Sequence, residues 1–294
     1  MIYTAIAGWA DEGEFSIRFM CEYLGVSKSG YYRWFSGEES DHDRWDRQLT
    51  VMISDYFTRQ KGRVGARAVQ AWLARSEVAT SVKRVWRLMR QAGLVCCHPR
   101  PRRQTTIADP DAPKVADLIG RDFTAGAPDQ RWVGDITYIR VGTGWVYLAT
   151  VIDLFSRKVV GYSVADHMRE SLVEAALSNA LKTRRPAAGV IFHSDRGSVY
   201  TSNDFAKFCR KNNVTRSMGR TGSCYDNAAA ESFFATIKKE LIYRKPWTRL
   251  NEVRKEVFEY VEIYYNRKRL HSTLDYVTPN EYEIAYKNNG KIAA

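Results

Sequence analysis

The order of strand-like and helix-like segments in the second half of the chain is the feature that most limits its fold. Strand-like and helical stretches follow one another there, and Gly142 and Gly144 mark a tight hairpin between the first two strands. The strand-like stretches are residues 132–139, 145–152, 158–164, 190–193 and 214–218, and the helical ones are 171–182, 202–212 and 227–242. Three antiparallel strands followed by alternating helices and strands predict an α/β domain with a mixed sheet.

Three acidic residues occupy informative positions in this pattern. Asp135 lies in mid-strand between apolar neighbours, where an unpaired charge costs several kcal/mol. Asp195 ends a buried strand, which is where open α/β sheets place functional groups. Glu231 borders the apolar stripe of the last helix, and Lys238 follows on the same helix face. Each acid alone is compatible with a structural role. Together, without His or Cys, they indicate an all-oxygen site for a hard cation such as Mg²⁺ or Mn²⁺.

The positive charge of the chain is concentrated before this domain. The whole sequence has 45 Lys and Arg against 33 Asp and Glu, a net charge of +12. Residues 59–103 contain twelve of the basic residues and a single acid, Glu77. Such a concentration is typical of a surface that binds phosphates, because each neutralised phosphate releases condensed counterions. The alternative is a merely basic enzyme with no polyanionic partner.

Two helix-turn-helix patterns precede residue 99. The first has a turn at Gly25 and a second helix capped by Ser27. In the second pattern a helix starts after Ser81 and ends near Gly93. Basic residues cover one face of that helix: Lys83, Arg84, Arg87 and Arg90. A basic face can be a solvated surface, but its place in the basic segment favours DNA contact.

Composition also divides the chain into segments. Residues 99–128 hold five of the eight prolines and show no periodicity, which predicts a linker. Basic residues at both ends of the core domain are further expected DNA contacts: Arg100, Arg102, Arg103, Arg267, Lys268 and Arg269. The predicted domains are a helix-turn-helix-like segment at 1–57, a basic helix-turn-helix DNA-binding domain at 58–98, the linker at 99–128, an α/β core at 129–245 and a helical C-terminal extension at 246–294.

Several classes of protein are excluded by the sequence. There is no run of 18 apolar residues, so we expect no membrane span, and the acidic N-terminus is not a signal peptide. The five cysteines are odd in number and scattered, which suits a reducing cytoplasm. The adjacent Cys96, Cys97 and His98 lack a second ligand pair at the spacing of a zinc site.

Short motifs around the three acids resemble a known family. They are WVGDITY at 132–138, FHSDRG at 192–197, GSCYDNA at 222–228, ESFF at 231–234 and YNRKRLH at 265–271. Asp135, Asp195 and Glu231, with 35 residues between the last two, resemble the DDE catalytic set of retroviral integrases and bacterial transposases. The motifs together are similar to the OrfB product of insertion-sequence-three family transposases, most strongly over residues 127–282.

This resemblance implies a ribonuclease-H-like integrase core, with which the order of elements agrees. It implies a DNA transposase that cleaves DNA strands and transfers them at the ends of its element, using Mg²⁺ or Mn²⁺ with two ions per site. Asp135, Asp195 and Glu231 would hold the ions, and Lys238 would bind a phosphate near the scissile bond. The implied partners are the terminal inverted repeats, the target DNA, further copies of the chain, and a protein or fusion segment from an upstream reading frame. The implied location is the bacterial cytoplasm, on nucleoid DNA.

Two other functions remain open on the sequence alone. One is a metal-dependent nuclease of the same fold that hydrolyses DNA without strand transfer. The other is a DNA-binding regulator whose acids are structural, which would bind DNA equally well without metal.

Overall fold

The computed structural model describes residues 2–13, 15–37, 39–97, 115–120, 122–187, 189–219 and 228–292. The chain divides into two compact units, Met1–Val95 and Cys96–Ala294. Within the described ranges, no helix combines the length and apolar character needed to cross a membrane.

The first unit is entirely helical where it is described. Its helices are α1 (Ile2–Asp11), α2 (Ile17–Tyr23), α3 (Lys28–Ser36), α4 (Asp41–Arg59), α5 (Ala66–Arg75) and α6 (Val82–Gln91). Ser27 and Ser81 cap α3 and α6 as predicted, because each hydroxyl accepts a hydrogen bond from the backbone N–H three residues later. The apolar face of α6, which includes Val85 and Met89, packs with Leu49 of α4 and Leu73 of α5. This packing leaves the basic face of α6 outside the core.

The second unit is built on one five-stranded sheet. Its strands are β1 (Arg131–Val141), β2 (Gly144–Asp153), β3 (Val159–Ala165), β4 (Val190–Ser194) and β5 (Val214–Met218). Their order across the sheet is β3-β2-β1-β4-β5. The pairs β1–β2 and β2–β3 are antiparallel, whereas β1–β4 and β4–β5 are parallel. The mixed sheet predicted from the order of elements is therefore confirmed, as is the hairpin in which Val141 faces Gly144.

Helices cover both faces of the sheet. The helices of this unit are α7 (Glu170–Arg184), α8 (Ser198–Thr201), α9 (Asn203–Lys211), α10 (Ala228–Glu240), α11 (Leu250–Phe258) and α12 (Pro279–Ile292). Trp132 of β1 packs in the cluster with α7 and α9, and the next residue, Val133, packs in the cluster with α10 and α11. This alternation is the period of a strand buried on both faces.

The C-terminal helix differs from its prediction. The spacing of apolar residues predicts one helix over 248–266, but α11 ends at Phe258 and the chain continues as a π-helical segment, Glu259–Tyr265. The wider turns carry two adjacent pairs, Tyr260 with Val261 and Tyr264 with Tyr265, into the same hydrophobic cluster as β1 and α10. The buried side of this segment therefore packs on the core of its own unit.

Candidate active site

The parallel pairing of β1 with β4 brings two of the three acids together. Val133 of β1 lies opposite His193 of β4. Asp135 and Asp195 each lie two residues beyond these partners, so both acids reach the same level of the sheet where β4 ends. This position follows the carboxyl end of a parallel strand, as predicted for Asp195.

Gly134 keeps this part of the sheet closely packed. A Cβ atom at this position would lie 2.1 Å from the ring of Phe192 in β4, far inside van der Waals contact. Phe192 is buried among the residues that cover this face of the sheet. A side chain at position 134 would therefore force the buried Phe192 ring to shift, close to the strand end that precedes Asp195.

The Asp135 carboxyl has a strongly perturbed protonation equilibrium. Loss of hydration and the nearby charges of Asp195 and Glu231 raise its pKa to about 7. The backbone N–H of Ile136 donates to Asp135 Oδ1 at 2.7 Å and opposes this rise, as does the charge of Lys238. The four charged side chains therefore share one electrostatic environment, in which a bound cation would relieve the repulsion among the acids.

Asp195 is held at the rim of this site by its own loop. Its side chain is exposed, yet the surrounding protein displaces enough water to raise its pKa. The backbone N–H of Gly197 donates to Asp195 Oδ1 at 3.0 Å. The next residue, Arg196, donates to the backbone carbonyls of Gly219 and Val115, which ties the loop to two other segments.

Glu231 and Lys238 come from α10. The buried stripe of this helix packs on the sheet: Ala230, Phe233, Phe234 and Ile237. Glu231 follows Ala230 directly and is half-buried at the border of the stripe, and Lys238 lies two turns further on. The helix thus presents one acid and one cation toward Asp135, consistent with their effects on its pKa.

The oxygen atoms around Asp135 are suitable ligands for a hard cation. Thr150 is the cross-strand partner of Asp135, and Thr137 lies two residues along β1 on the same face. Both hydroxyls are buried without a hydrogen-bond partner in the described part of the chain. Carboxylate and hydroxyl oxygens are the kind of ligand that Mg²⁺ prefers. Within the described ranges, however, no group of three or more Asp, Glu, His or Cys side chains is arranged to hold an ion.

Comparisons with known proteins match most of the chain. Two family models described as integrase core domain match residues 125–224 and 212–279, and one described as HTH-like domain matches residues 43–103. The transposase InsF for insertion sequence IS3A of Escherichia coli (strain K12) is 37% identical over 274 residues, which cover 92% of this chain and 95% of that protein. The chain belongs to the IS3 family of insertion-sequence transposases.

Other relatives agree with this assignment. The insertion element IS600 uncharacterized 31 kDa protein of Shigella sonnei is 37% identical over 267 residues, with coverage of 91% of this chain and 98% of that protein. Among solved structures, the HTLV-2 integrase catalytic core domain in complex with magnesium is 18% identical and covers 54% of this chain and 98% of that one. Its TM-score of 0.41 is too low to bear on function. The predicted integrase-like α/β core with preceding helix-turn-helix segments is confirmed.

The basic face of α6 lies within the HTH-like match of this IS3-family chain. Lys83 and Arg90 are exposed on it, and Trp86 lies between them with 55% of its surface exposed. The guanidinium of Arg90 lies 5.5 Å from the centre of the Trp86 ring. Trp86 is not among the residues predicted from the sequence, although its position one turn from a basic residue on either side is a signal for it.

Two other basic residues of α6 are engaged inside the first unit. Asp46 of α4 accepts a hydrogen bond from Arg84 Nε at 2.7 Å and one from Arg87 Nη2 at 2.5 Å. Burial acts to raise the pKa of Asp46, but the two arginine hydrogen bonds outweigh it and the pKa lies below its ordinary value. Arg84 is mostly buried and Arg87 only partly so. The ion pairs hold α4 and α6 together and leave Lys83 and Arg90 as the outward-facing cations.

The three basic residues after the π-helical segment also have different environments. Arg267 and Lys268 are exposed. Arg269 Nε donates to the buried carboxylate of Glu240 at 3.1 Å, and the hydroxyl of Tyr260 donates to the same carboxylate at 2.8 Å. The sequence predicts DNA contact for all three, whereas the structure gives Arg269 an internal partner.

The remaining expectations about the site concern buried or undescribed residues. Arg100, Arg102 and Arg103 lie outside the described residues. His193 is buried, and its Nδ1 forms a 2.8 Å hydrogen bond with Ser217 Oγ, whose oxygen also accepts from the backbone N–H of Leu118. These contacts give His193 a packing role at the end of β4.

Proposed function

We propose that this IS3-family transposase cleaves DNA strands at the ends of its element and joins them to a second strand in a metal-dependent reaction. The observation that carries the proposal is the register of β1 and β4, which puts Asp135 and Asp195 at one level of the sheet, where Glu231 and Lys238 of α10 also perturb the pKa of Asp135. Carboxyls that repel one another at a strand end, with a cation nearby, are the environment that a divalent ion stabilises. Family membership supplies the type of reaction.

Within this proposal, Asp135, Asp195 and Glu231 would hold one or two Mg²⁺ or Mn²⁺ ions, which activate an oxygen nucleophile and stabilise the leaving oxygen when bound. Lys238 orients the scissile phosphate as a point charge beside the acids. The hydroxyls of Thr137 and Thr150 face the same space and satisfy their hydrogen-bonding capacity once it is filled. The acids can bind an ion only when they are deprotonated, so binding would release protons from Asp135 near neutral pH.

The partner in this proposal is double-stranded DNA, in the form of the element's terminal repeats and a target. The helix-turn-helix unit would position the element end through α6, and the core would act on the strand. Several copies of the chain on one DNA, a contribution from an upstream reading frame and action on nucleoid DNA are part of the same proposal.

A metal requirement tests the catalytic part directly. The substrate is a labelled duplex with the element's own terminal sequence, which can be read from the DNA that flanks the reading frame. With Mg²⁺ we expect a nicked product on a denaturing gel, and with excess EDTA we expect none because no ion is then available to activate the oxygen nucleophile. Addition of Mn²⁺ in excess of the chelator should restore the product. Equal cleavage in Mg²⁺ and in EDTA contradicts the proposed site.

The DNA contacts of α6 are tested by the salt dependence of binding. The double variant Lys83→Ala, Arg90→Ala should bind the terminal duplex more weakly, with a log–log salt slope smaller by about two units, since each lost phosphate contact removes roughly 0.9. Lys255→Ala is the matched control, because its exposed cation lies on α11. Fluorescence anisotropy at several salt concentrations gives the slopes. An unchanged slope in the double variant means that this helix face points to solvent.

A further inference from the structure

An exposed aromatic pair lies at the hairpin between β1 and β2. Tyr138 of β1 is 55% exposed, and Trp145 at the start of β2 is 45% exposed. Trp145 is the cross-strand partner of Arg140, which lies two residues from Tyr138 on the same face of β1. Large aromatic side chains in strands usually bury much of their surface against neighbouring elements. These two present theirs to solvent.

The pair forms a small, ordered surface together with two cations. The Tyr138 and Trp145 rings lie 5.2 Å apart between centroids and are nearly perpendicular, at 89°. Lys238 Nζ lies 5.7 Å from the centre of the Tyr138 ring, and the Arg140 guanidinium lies 5.6 Å from that of Trp145. Both distances are within the range of cation–π attraction, which holds the rings and the charges in one arrangement. We call Tyr138, Arg140, Trp145 and Lys238 the hairpin platform.

The hairpin platform borders the candidate active site. Lys238 belongs to both, because its charge also lowers the pKa of Asp135. Tyr138 and Asp135 lie three residues apart on β1, so about 10 Å of extended backbone separates them and their side chains leave the strand on opposite faces. Lys238 is the link between them, because its Nζ lies 5.7 Å from the centre of the Tyr138 ring. A DNA strand with a phosphate beside Lys238 would therefore have its neighbouring nucleotide within reach of that ring.

We propose that the hairpin platform binds an unpaired base of the reacting DNA strand by stacking on Tyr138 or Trp145, with Lys238 and Arg140 beside its phosphates. This inference rests on the proposed function, because that function supplies the DNA strand that the platform would position. Aromatic faces with adjacent cations are how proteins bind single-stranded nucleic acid without reading its sequence. The positive charge of the platform favours a phosphodiester strand over an uncharged peptide as its occupant. Tyr138 and Trp145 are thus positioning residues that hold the strand end after it leaves the duplex.

The test uses binding of two probes by the full chain in EDTA, so that no cleavage occurs. Both probes are duplexes with the element's terminal sequence and a short unpaired tail; one tail carries 2-aminopurine and the other an abasic site at the same position. The wild-type chain should bind the tail with the base about 5- to 150-fold more tightly than the abasic tail, because stacking of one base on an aromatic ring contributes that much affinity. The 2-aminopurine fluorescence should fall on binding because the base stacks on a ring.

Four variants identify the rings responsible. Tyr138→Leu and Trp145→Leu should each lose most of the preference for the base and most of the fluorescence change. Tyr138→Phe and Trp145→Phe should keep both, since a phenyl ring still stacks. Phe258→Leu is the control, because Phe258 is an exposed aromatic residue on α11, outside the helix-turn-helix unit and the hairpin platform. Thermal melts confirm that every variant is folded before its binding is compared.

Three results would overturn the inference. The first is equal binding of both tails by the wild-type chain, and the second is a full preference for the base in the folded Leu variants. The third is that the Leu substitutions change only the oligomeric state, as measured by sedimentation. The last result would show that the surface joins two copies of the chain. Because binding is read without metal, failure of the cleavage reaction does not affect this outcome. If the chain cleaves DNA normally but binds both tails equally, the proposed function stands and only the role of the hairpin platform is contradicted.

Discussion

Replacement of any one of the three acids is expected to stop cleavage while DNA binding persists. Asp135→Asn, Asp195→Asn and Glu231→Gln each remove a charge that we propose for the metal ions and preserve nearly the same shape. Substitution of a residue that only hydrogen-bonds to a metal ligand lowers metal affinity or activity by roughly 10- to 100-fold. Loss of a ligand itself should therefore have a larger effect. We therefore expect no product above background from each variant in the labelled-duplex assay.

Binding measurements separate this effect from a general loss of structure. Each variant should bind the terminal duplex in EDTA as well as the wild-type chain does, since the proposed duplex contacts lie on α6. Calorimetry with Mg²⁺ or Mn²⁺ should show uptake by the wild-type chain that weakens in each variant. Asp204→Asn is the control, because its exposed carboxylate on α9 pairs only with Lys207 among the ion pairs of the described chain. Cleavage at the normal rate by one of the three variants removes that residue from the site.

The second large effect is on stability and concerns Arg269. Removing this arginine takes away the ion pair that Arg269 forms with Glu240, whose side chain is 1% exposed. Loss of one partner of a buried pair costs about 3–5 kcal/mol. For a unit of this size the midpoint of thermal unfolding should fall by roughly 6–20 °C in Arg269→Met.

The neighbouring residues provide matched controls for this prediction. Arg267→Met and Lys268→Met change exposed side chains in the same run, and each should alter the free energy of unfolding by less than about 0.5 kcal/mol. Urea unfolding followed by circular dichroism measures all three variants. If Arg269→Met unfolds like the wild-type chain but binds DNA more weakly, Arg269 is a DNA contact and the internal ion pair contributes little.

The sequence predicts the sheet well because each strand depends on local alternation and on nearby turns. It also predicts Asp135 and Asp195 as members of one site, because they belong to a set of three acids without His or Cys that resembles the catalytic set of a known family. The parallel pairing of β1 with β4, which brings the two acids together, is seen only in the structure. The partners of the arginines are not predictable in this way. Arg84 and Arg269 find their carboxylates 38 and 29 residues away in sequence, across helix packing that no local pattern encodes.

Two further features depend on tertiary packing. The periodicity of the C-terminal helix is compatible with both α- and π-helical turns, and packing of several tyrosines in the core decides between them. The exposure of Tyr138 and Trp145 is also hidden in the sequence, because alternation alone predicts aromatic residues in a strand to be buried on one face. Exposure becomes evident only once β4 is seen to pair with the first part of β1 and to leave the hairpin end uncovered.

The most direct test of the account is whether the protein joins DNA strands as well as cutting them. A site that activates water can equally activate a DNA 3′-hydroxyl, and the outcome depends on whether the cleaved end stays bound in line with a second phosphate. We expect that, with Mg²⁺ and a DNA that carries both ends of the element, a liberated 3′ end becomes joined to another strand. Branched or circular products on a denaturing gel are the predicted result, if necessary after addition of the segment encoded by the upstream reading frame. Only linear hydrolysed fragments, with and without that segment, would contradict the account and favour a nuclease.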